Sequence, residues 1–204
     1  MSRMLKLHGF PMSPNTRRAL FGLEEYGEAY ELVPVDLMAG EQKSPAYLAL
    51  NPTGRVPTLV DGDLVLWESS AILEYLAARH PDVGLGPKSA RDVAEIARWM
   101  YMGASHLSPN VARIFAHTIR LPEEQRLPRL VDEARVEVDR SLRALAGCLE
   151  GREYLLGRFS IAEIALAPTL GAAPMLGIDL GRFPPVAEWM KRITARPAWQ
   201  KIHR

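Results

Sequence analysis

Leu5 and Leu7 alternate with polar neighbours over residues 4–8, the rhythm of a half-buried strand, and the segment stops at HGFPMSP, where Gly9, Pro11 and Pro14 mark a loop. Over residues 14–27 the apolar Ala19, Leu20, Leu23 and Tyr26 recur at helical spacing, and Gly27 stands where a C-terminal cap is expected. Residues 30–35 predict a second strand, and GEQKSPAYLALNP a short helical excursion closed by Asn51-Pro52. Residues 56–60 and 64–67, joined across Asp61-Gly62-Asp63, predict a hairpin, and residues 68–79 a helix. The order βαβαββα describes an α/β domain.

After ARHPDVGLGPKSA, whose prolines and glycines suit an exposed linker, only helical periodicity remains. Residues 90–118, 122–149, 160–175 and 185–196 carry apolar faces at helical spacing. The expected division is a first domain over residues 1–81, a linker over 82–88 and an all-α domain over 89–204. In FSIAEIAL, Ser160 and Glu163 match a capping box, in which each side chain satisfies a free backbone donor of the other.

Composition narrows the function. The 204 residues are 48% hydrophobic and 24% charged, ordinary for a globular protein, and Lys plus Arg number 25 against 24 Asp plus Glu. Without a basic excess there is little electrostatic affinity for nucleic acid or a membrane surface. No window approaches the roughly 18 apolar residues of a spanning helix, and a cytoplasmic protein is expected. Cys148 is the single cysteine, which excludes an internal disulfide and a multi-thiolate metal site. Thiol chemistry would therefore use a thiol carried by the substrate.

The stretch NPTGRVPTLVDGDLVLWESSAI, residues 51–72, holds the most specific chemistry. X-Pro bonds alone tolerate cis cheaply, and a cis bond at Val56-Pro57 would leave the Val56 N–H and C=O for a docking peptide. At the next helix start, free N–H groups and the dipole favour a carboxylate, Ser69 adds a hydroxyl donor, and Glu68 can accept from an ammonium. An amino-acid head group beside a peptide unit answers the description of glutathione.

Other residues have two readings. Ser13 before Pro14 is an ordinary N-cap worth about 1 kcal/mol, or a hydroxyl donor to a thiolate. Glu68 and Ser69 could serve only the helix dipole, and Arg17 and Arg18 read as a solvated face or subunit contact, or one of them as a source of positive potential near the thiolate. His106 and His117 would lie about 16 Å apart along a helix and cannot share an ion, so no metal site is expected. Phe10, Met12, Met102, His106 and Phe115 are candidates for an adaptable apolar wall, although methionines at helical spacing are often core filler.

Over nearly the whole first domain, MSPNTRRALFGLEEYGEAYELVPVDLMAGEQKSPAYLALNPTGRVPTLVDGDLVLWESSAILEYLA resembles the phi-like and theta-like branch of the glutathione S-transferases, and SIAEIALAPTL and WMKRITARPAWQ resemble its C-terminal helices. The resemblance implies a thioredoxin-like first domain, an all-helical second domain and a homodimer. It implies that Ser13 activates the glutathione thiol, that Val56, presented by Pro57, pairs with the cysteinyl backbone, and that Glu68 and Ser69 hold the γ-glutamyl end. Gln42 and Lys43 match the position that binds the glycyl carboxylate. A His often stands where Gln42 is, a Gln where Arg55 is, and an Asp where Glu163 is. The implied reaction joins glutathione, a co-substrate rather than a resident cofactor, to a small hydrophobic electrophile. Glutathione-dependent disulfide or peroxide reduction and non-catalytic ligand binding are the alternatives. The absence of a cysteine near Ser13 opposes a mixed disulfide on the protein.

Overall fold

Leu5 and Leu7 are fully buried while Lys6 between them is exposed, so the alternation at the start of the chain does form a strand, β1 (Leu5–Gly9). The computed structural model describes residues 4–203; residues 1–3 and 204, the outer ends of the two expected domains, lie outside the described residues. The chain divides into two compact units, one formed by Met1–Pro87 with Pro197–Arg204 and the other by Lys88–Arg196.

In the first unit β1 is followed by α1 (Pro14–Glu25), β2 (Tyr30–Pro34), a 3-10 turn (Glu41–Lys43), α2 (Pro45–Leu50), β3 (Thr58–Asp61), β4 (Leu64–Trp67) and α3 (Ser69–Arg79). The sheet order is β2-β1-β3-β4, with β1 parallel to β2 and antiparallel to β3. Leu7 stands opposite Leu59 in the register, and both are fully buried. Phe21 and Leu23 of α1 and Ile72, Leu73 and Leu76 of α3 are fully buried as well. A Cβ on Gly22 would lie 2.5 Å from the Leu73 side chain, so α1 carries no side chain where α3 comes closest. Strand β3 begins at Thr58, two residues later than the apolar run suggests, because Pro57 has no N–H to give a ladder. The tail helix α9 (Pro197–Lys201) belongs to this unit: the Trp199 ring meets Phe21 edge-on at 5.6 Å, and Lys201 pairs with Glu24 at 2.7 Å.

The second unit holds α4 (Ala90–Met102), α5 (Ser108–Phe115), α6 (Pro128–Leu149), α7 (Ile161–Leu170) and α8 (Pro184–Thr194). The single helix expected over residues 90–118 is widened twice, into π-turns at Gly103–Leu107 and Ala116–Arg120. The first ends two residues before Pro109, which cannot donate to the carbonyl one turn back. α6 starts at Pro128 rather than near residue 122, since the residue before a proline is pushed out of helical geometry, as the φ −119°, ψ 94° of Leu127 show.

Every residue of α7 is buried. Its capping box is complete, with Glu163 accepting from the Ser160 N–H at 2.8 Å and from its hydroxyl at 2.6 Å. The same carboxylate also accepts from the Leu155 N–H at 2.8 Å. Burial pushes the Glu163 carboxyl up, while these donors pull it back.

Candidate functional site

Ser13 sits at the N-cap of α1 with extended backbone, φ −70° and ψ 127°. Its N–H donates to the Phe10 carbonyl at 2.9 Å, and its own carbonyl accepts from the Arg17 N–H at 2.9 Å. The hydroxyl makes no capping hydrogen bond. It therefore stands uncommitted beside the free amides and positive dipole end of a helix twelve residues long, surroundings that favour an anion.

The Val56-Pro57 peptide bond is cis. The Tyr47 hydroxyl and the Asn51 amide each donate to the Arg55 carbonyl at 2.7 Å, and both also reach the Thr58 hydroxyl, at 3.0 and 3.2 Å. Three side chains thus fix the backbone on both sides of Val56. Its side chain is 7% exposed in a cluster with Val35 and Tyr47, while no hydrogen bond from the described residues engages its N–H or C=O. Gln42 and Lys43 lie in the 3-10 turn against the same loop: a Cβ on Gly54 would be 2.9 Å from the Lys43 ammonium and 3.0 Å from the Gln42 carbonyl. The Gln42 Oε1 is buried without a partner, and the Arg55 side chain is exposed.

Glu68, at the N-cap of α3, has φ +71° and is the non-glycine residue with positive φ among those described. Such a conformation costs on the order of 1–3 kcal/mol and is kept where a side chain or amide must be aimed. Ser69 is 5% exposed, and its Oγ accepts from the Arg18 guanidinium at 3.4 Å. Arg18 is no part of a solvated face. Only 5% exposed, it also donates to the Asn15 side chain at 2.7 Å. Burial pushes its pKa down to about 10, opposed by the charge of Glu68. Arg17 is the half-exposed member of the pair and bonds the Pro11 carbonyl at 3.1 Å. Two adjacent arginines give no sequence signal of which one turns inward; Asn15, three residues before Arg18 and able to accept from it, was the available hint.

The apolar-wall candidates divide. Phe10 packs against the Val35–Tyr47–Val56 cluster, and Met12 is 63% exposed. In the second unit Met102 ends α4, His106 lies exposed in the first π-turn and Phe115 ends α5. His117 instead accepts from the Leu127 N–H at 3.3 Å, a structural task. Among the described residues no group of three His, Cys, Asp or Glu side chains could hold a metal ion, and no helix is long and apolar enough to cross a membrane. A cavity of about 490 Å³ in the second unit is lined by Arg91, Arg98, Arg152, Glu95 and Cys148 among others. Its charges are partly paired with one another, Arg98 with Glu95, which makes it a poor receptor for an apolar molecule.

Residues 3–78 match the family model of the glutathione S-transferase N-terminal domain, and residues 107–197 that of the glutathione S-transferase C-terminal domain. The chain is 38% identical over 206 residues to glutathione S-transferase 3 of Zea mays, with 97% of this chain and 92% of that protein covered. Among solved structures it is similar to the theta class glutathione S-transferase of Xanthomonas axonopodis pv. citri with glutathione bound, at 35% identity and a TM-score of 0.89, covering 97% and 95% of the two chains. A glutathione transferase from Burkholderia graminis, with two glutathione molecules bound per subunit, is 31% identical with a TM-score of 0.89, covering 98% of this chain and 87% of that one.

Proposed function

Since the chain belongs to the glutathione S-transferase family, with a thioredoxin-like first unit and a helical second, we propose that it conjugates glutathione to small hydrophobic electrophiles and that Ser13 stabilises the reacting thiolate. The observation that carries this reading is the Ser13 hydroxyl, placed at a helix N-terminus and not spent on a cap. A hydroxyl donating to sulfur there favours the thiolate, and each unit by which the thiol pKa falls from its ordinary value of about 8.5 corresponds to about 1.4 kcal/mol.

In this reading the Val56 N–H and C=O pair with the cysteinyl residue, and the network under Arg55 holds them in register. Glu68 accepts from the ligand ammonium, while Ser69 and the first amides of α3 hold the adjoining carboxylate. Gln42 and Lys43, with Arg55 next to Gly54 in the loop that faces them, hold the glycyl carboxylate. The thiolate then attacks an electrophilic carbon: a C–S bond forms, and a leaving group departs with the electron pair or the adduct takes a proton. Holding the thiolate oriented, rather than forming a covalent intermediate on the protein, supplies the acceleration. The domain division at residues 82–88 belongs to the same reading, the first domain binding glutathione and the second contributing Met102, His106 and Phe115 to electrophile selection. A homodimer is proposed as well. Leu64, Val65 and Trp67 on edge strand β4 are 37–38% exposed, apolar surface that a second copy could cover.

The test is one purified sample assayed for conjugation of an aryl halide, disulfide reduction and peroxide reduction. Conjugation is the expected main activity. Dominant reduction would replace it with the reductase reading, and glutathione binding with no turnover in any assay would leave a binding module.

A further inference from the structure

We infer that Arg18 is a positioning residue for the glutamyl end of glutathione, acting through Ser69 and Asn15; this rests on the glutathione reading above. One nitrogen of the buried Arg18 guanidinium, Nη1, donates toward two helix starts at once. One bond goes to Asn15 in the first turn of α1 at 2.7 Å, the other to Ser69 at the beginning of α3 at 3.4 Å. A hydroxyl has two lone pairs and one proton. With Arg18 donating to the Ser69 oxygen, the Ser69 proton is left to donate to a carboxylate, and the nearby cation polarises that O–H further.

The charge order fits as well. Arg18 is buried beneath Ser69, and Glu68, one residue earlier, carries the opposite charge on an exposed side chain. A zwitterionic amino-acid end meets an anion for its ammonium and a cation-backed hydroxyl for its carboxylate. The two arginines have therefore separated in role: Arg17 holds the loop before Ser13 through the Pro11 carbonyl, and Arg18 ties the α1 start to the glutamyl subsite.

A double-mutant cycle tests this. Arg18→Lys keeps the charge but replaces the planar Nη1 that serves both partners with an ammonium on a stem of different length and shape. Arg18→Lys and Ser69→Ala should each raise the glutathione KM by about five- to tenfold, and the double variant should show no more than the larger single effect. The loss should fall on the glutathione KM rather than on kcat. Additive penalties, or an Arg18→Lys loss confined to stability, would overturn the inference while leaving the glutathione reading intact. A wild-type protein that does not bind glutathione would remove both. Because Arg18→Lys can fail to fold, the wild-type guanidinium resonance of Arg18 is followed by NMR during titration with glutathione and with cysteinylglycine, which lacks the γ-glutamyl group. A shift with glutathione alone is expected; equal shifts with both, or none with either, would overturn the assignment.

Discussion

A serine at a helix start ordinarily bonds the N2 or N3 amide through its hydroxyl, yet Ser13 does not. Ser13→Ala should therefore leave unfolding stability within about 0.5 kcal/mol, against about 1 kcal/mol for loss of a working cap. Over the same comparison the thiol of bound glutathione should ionise at higher pH, followed by thiolate absorbance, and turnover at neutral pH should fall. Unchanged ionisation and turnover would return the activating role to the helix amides. Glu68→Ala removes the proposed charged acceptor without easing the backbone, because Ala shares the Cβ that makes φ +71° costly. It should weaken glutathione binding by about ten- to a hundredfold, the equivalent of about 1.5–3 kcal/mol, as read by calorimetric titration. The cis bond at Pro57 was legible in the sequence because only an X-Pro bond adopts cis cheaply. The inward turn of Arg18 was legible only as the hint of a nearby acceptor in Asn15, since the Ser69 hydroxyl comes from a segment some fifty residues away in the chain.

At the scale of elements, periodicity located the longer helices but not their internal geometry, and it gave no sign of the short tail helix Pro197–Lys201. Apolar spacing over residues 90–118 is blind to which carbonyl each N–H finds, and both π-turns keep the same face inward closely enough to leave the pattern intact. β3 starts later than the apolar run for a related reason: Val56 is buried like a strand residue, but through its side chain in a cluster and not through a ladder. The capping box was legible because both of its partners lie within three residues. What the sequence could not show is the third task of Glu163, accepting from the Leu155 N–H. Glu163→Ala leaves the Leu155 and Ser160 amides buried without that acceptor. The expected loss is about 3 kcal/mol of stability, measurable by chemical denaturation, with α7 losing hydrogen-exchange protection first.

For the whole molecule, acid sensitivity follows from histidines that resist protonation when folded. Burial lowers the pKa of His203, and Arg17 adds to that against the bond to the Trp199 carbonyl; burial and Lys6 lower that of His8 against Glu31. The unfolded chain takes up these protons at about pH 6.5 while the folded chain refuses them, so stability is full above that pH and is lost as pH falls below it. Denaturation midpoints should drop between pH 7 and 5.5, and His203→Gln should flatten part of the drop. Sedimentation at micromolar concentration should give twice the chain mass, and a monomer would count against the proposed dimer. Helical spacing reaches only to residue 196, and the expected division leaves the tail with the second domain; Pro197 instead opens a short helix of the first unit, where Trp199, 6% exposed, packs with Phe21.

That return of the tail has a consequence for synthesis. The first unit is written in two separated pieces of message, whereas the second is continuous from Lys88 to Arg196. A ribosome releases β1 through α3 early, but without the indole that meets Phe21 and the lysine that pairs with Glu24. The helical unit, begun later, has all its parts first. In the order of completion the second unit precedes the first, and until the tail is translated the residues around Ser13 rest on an unfinished foundation.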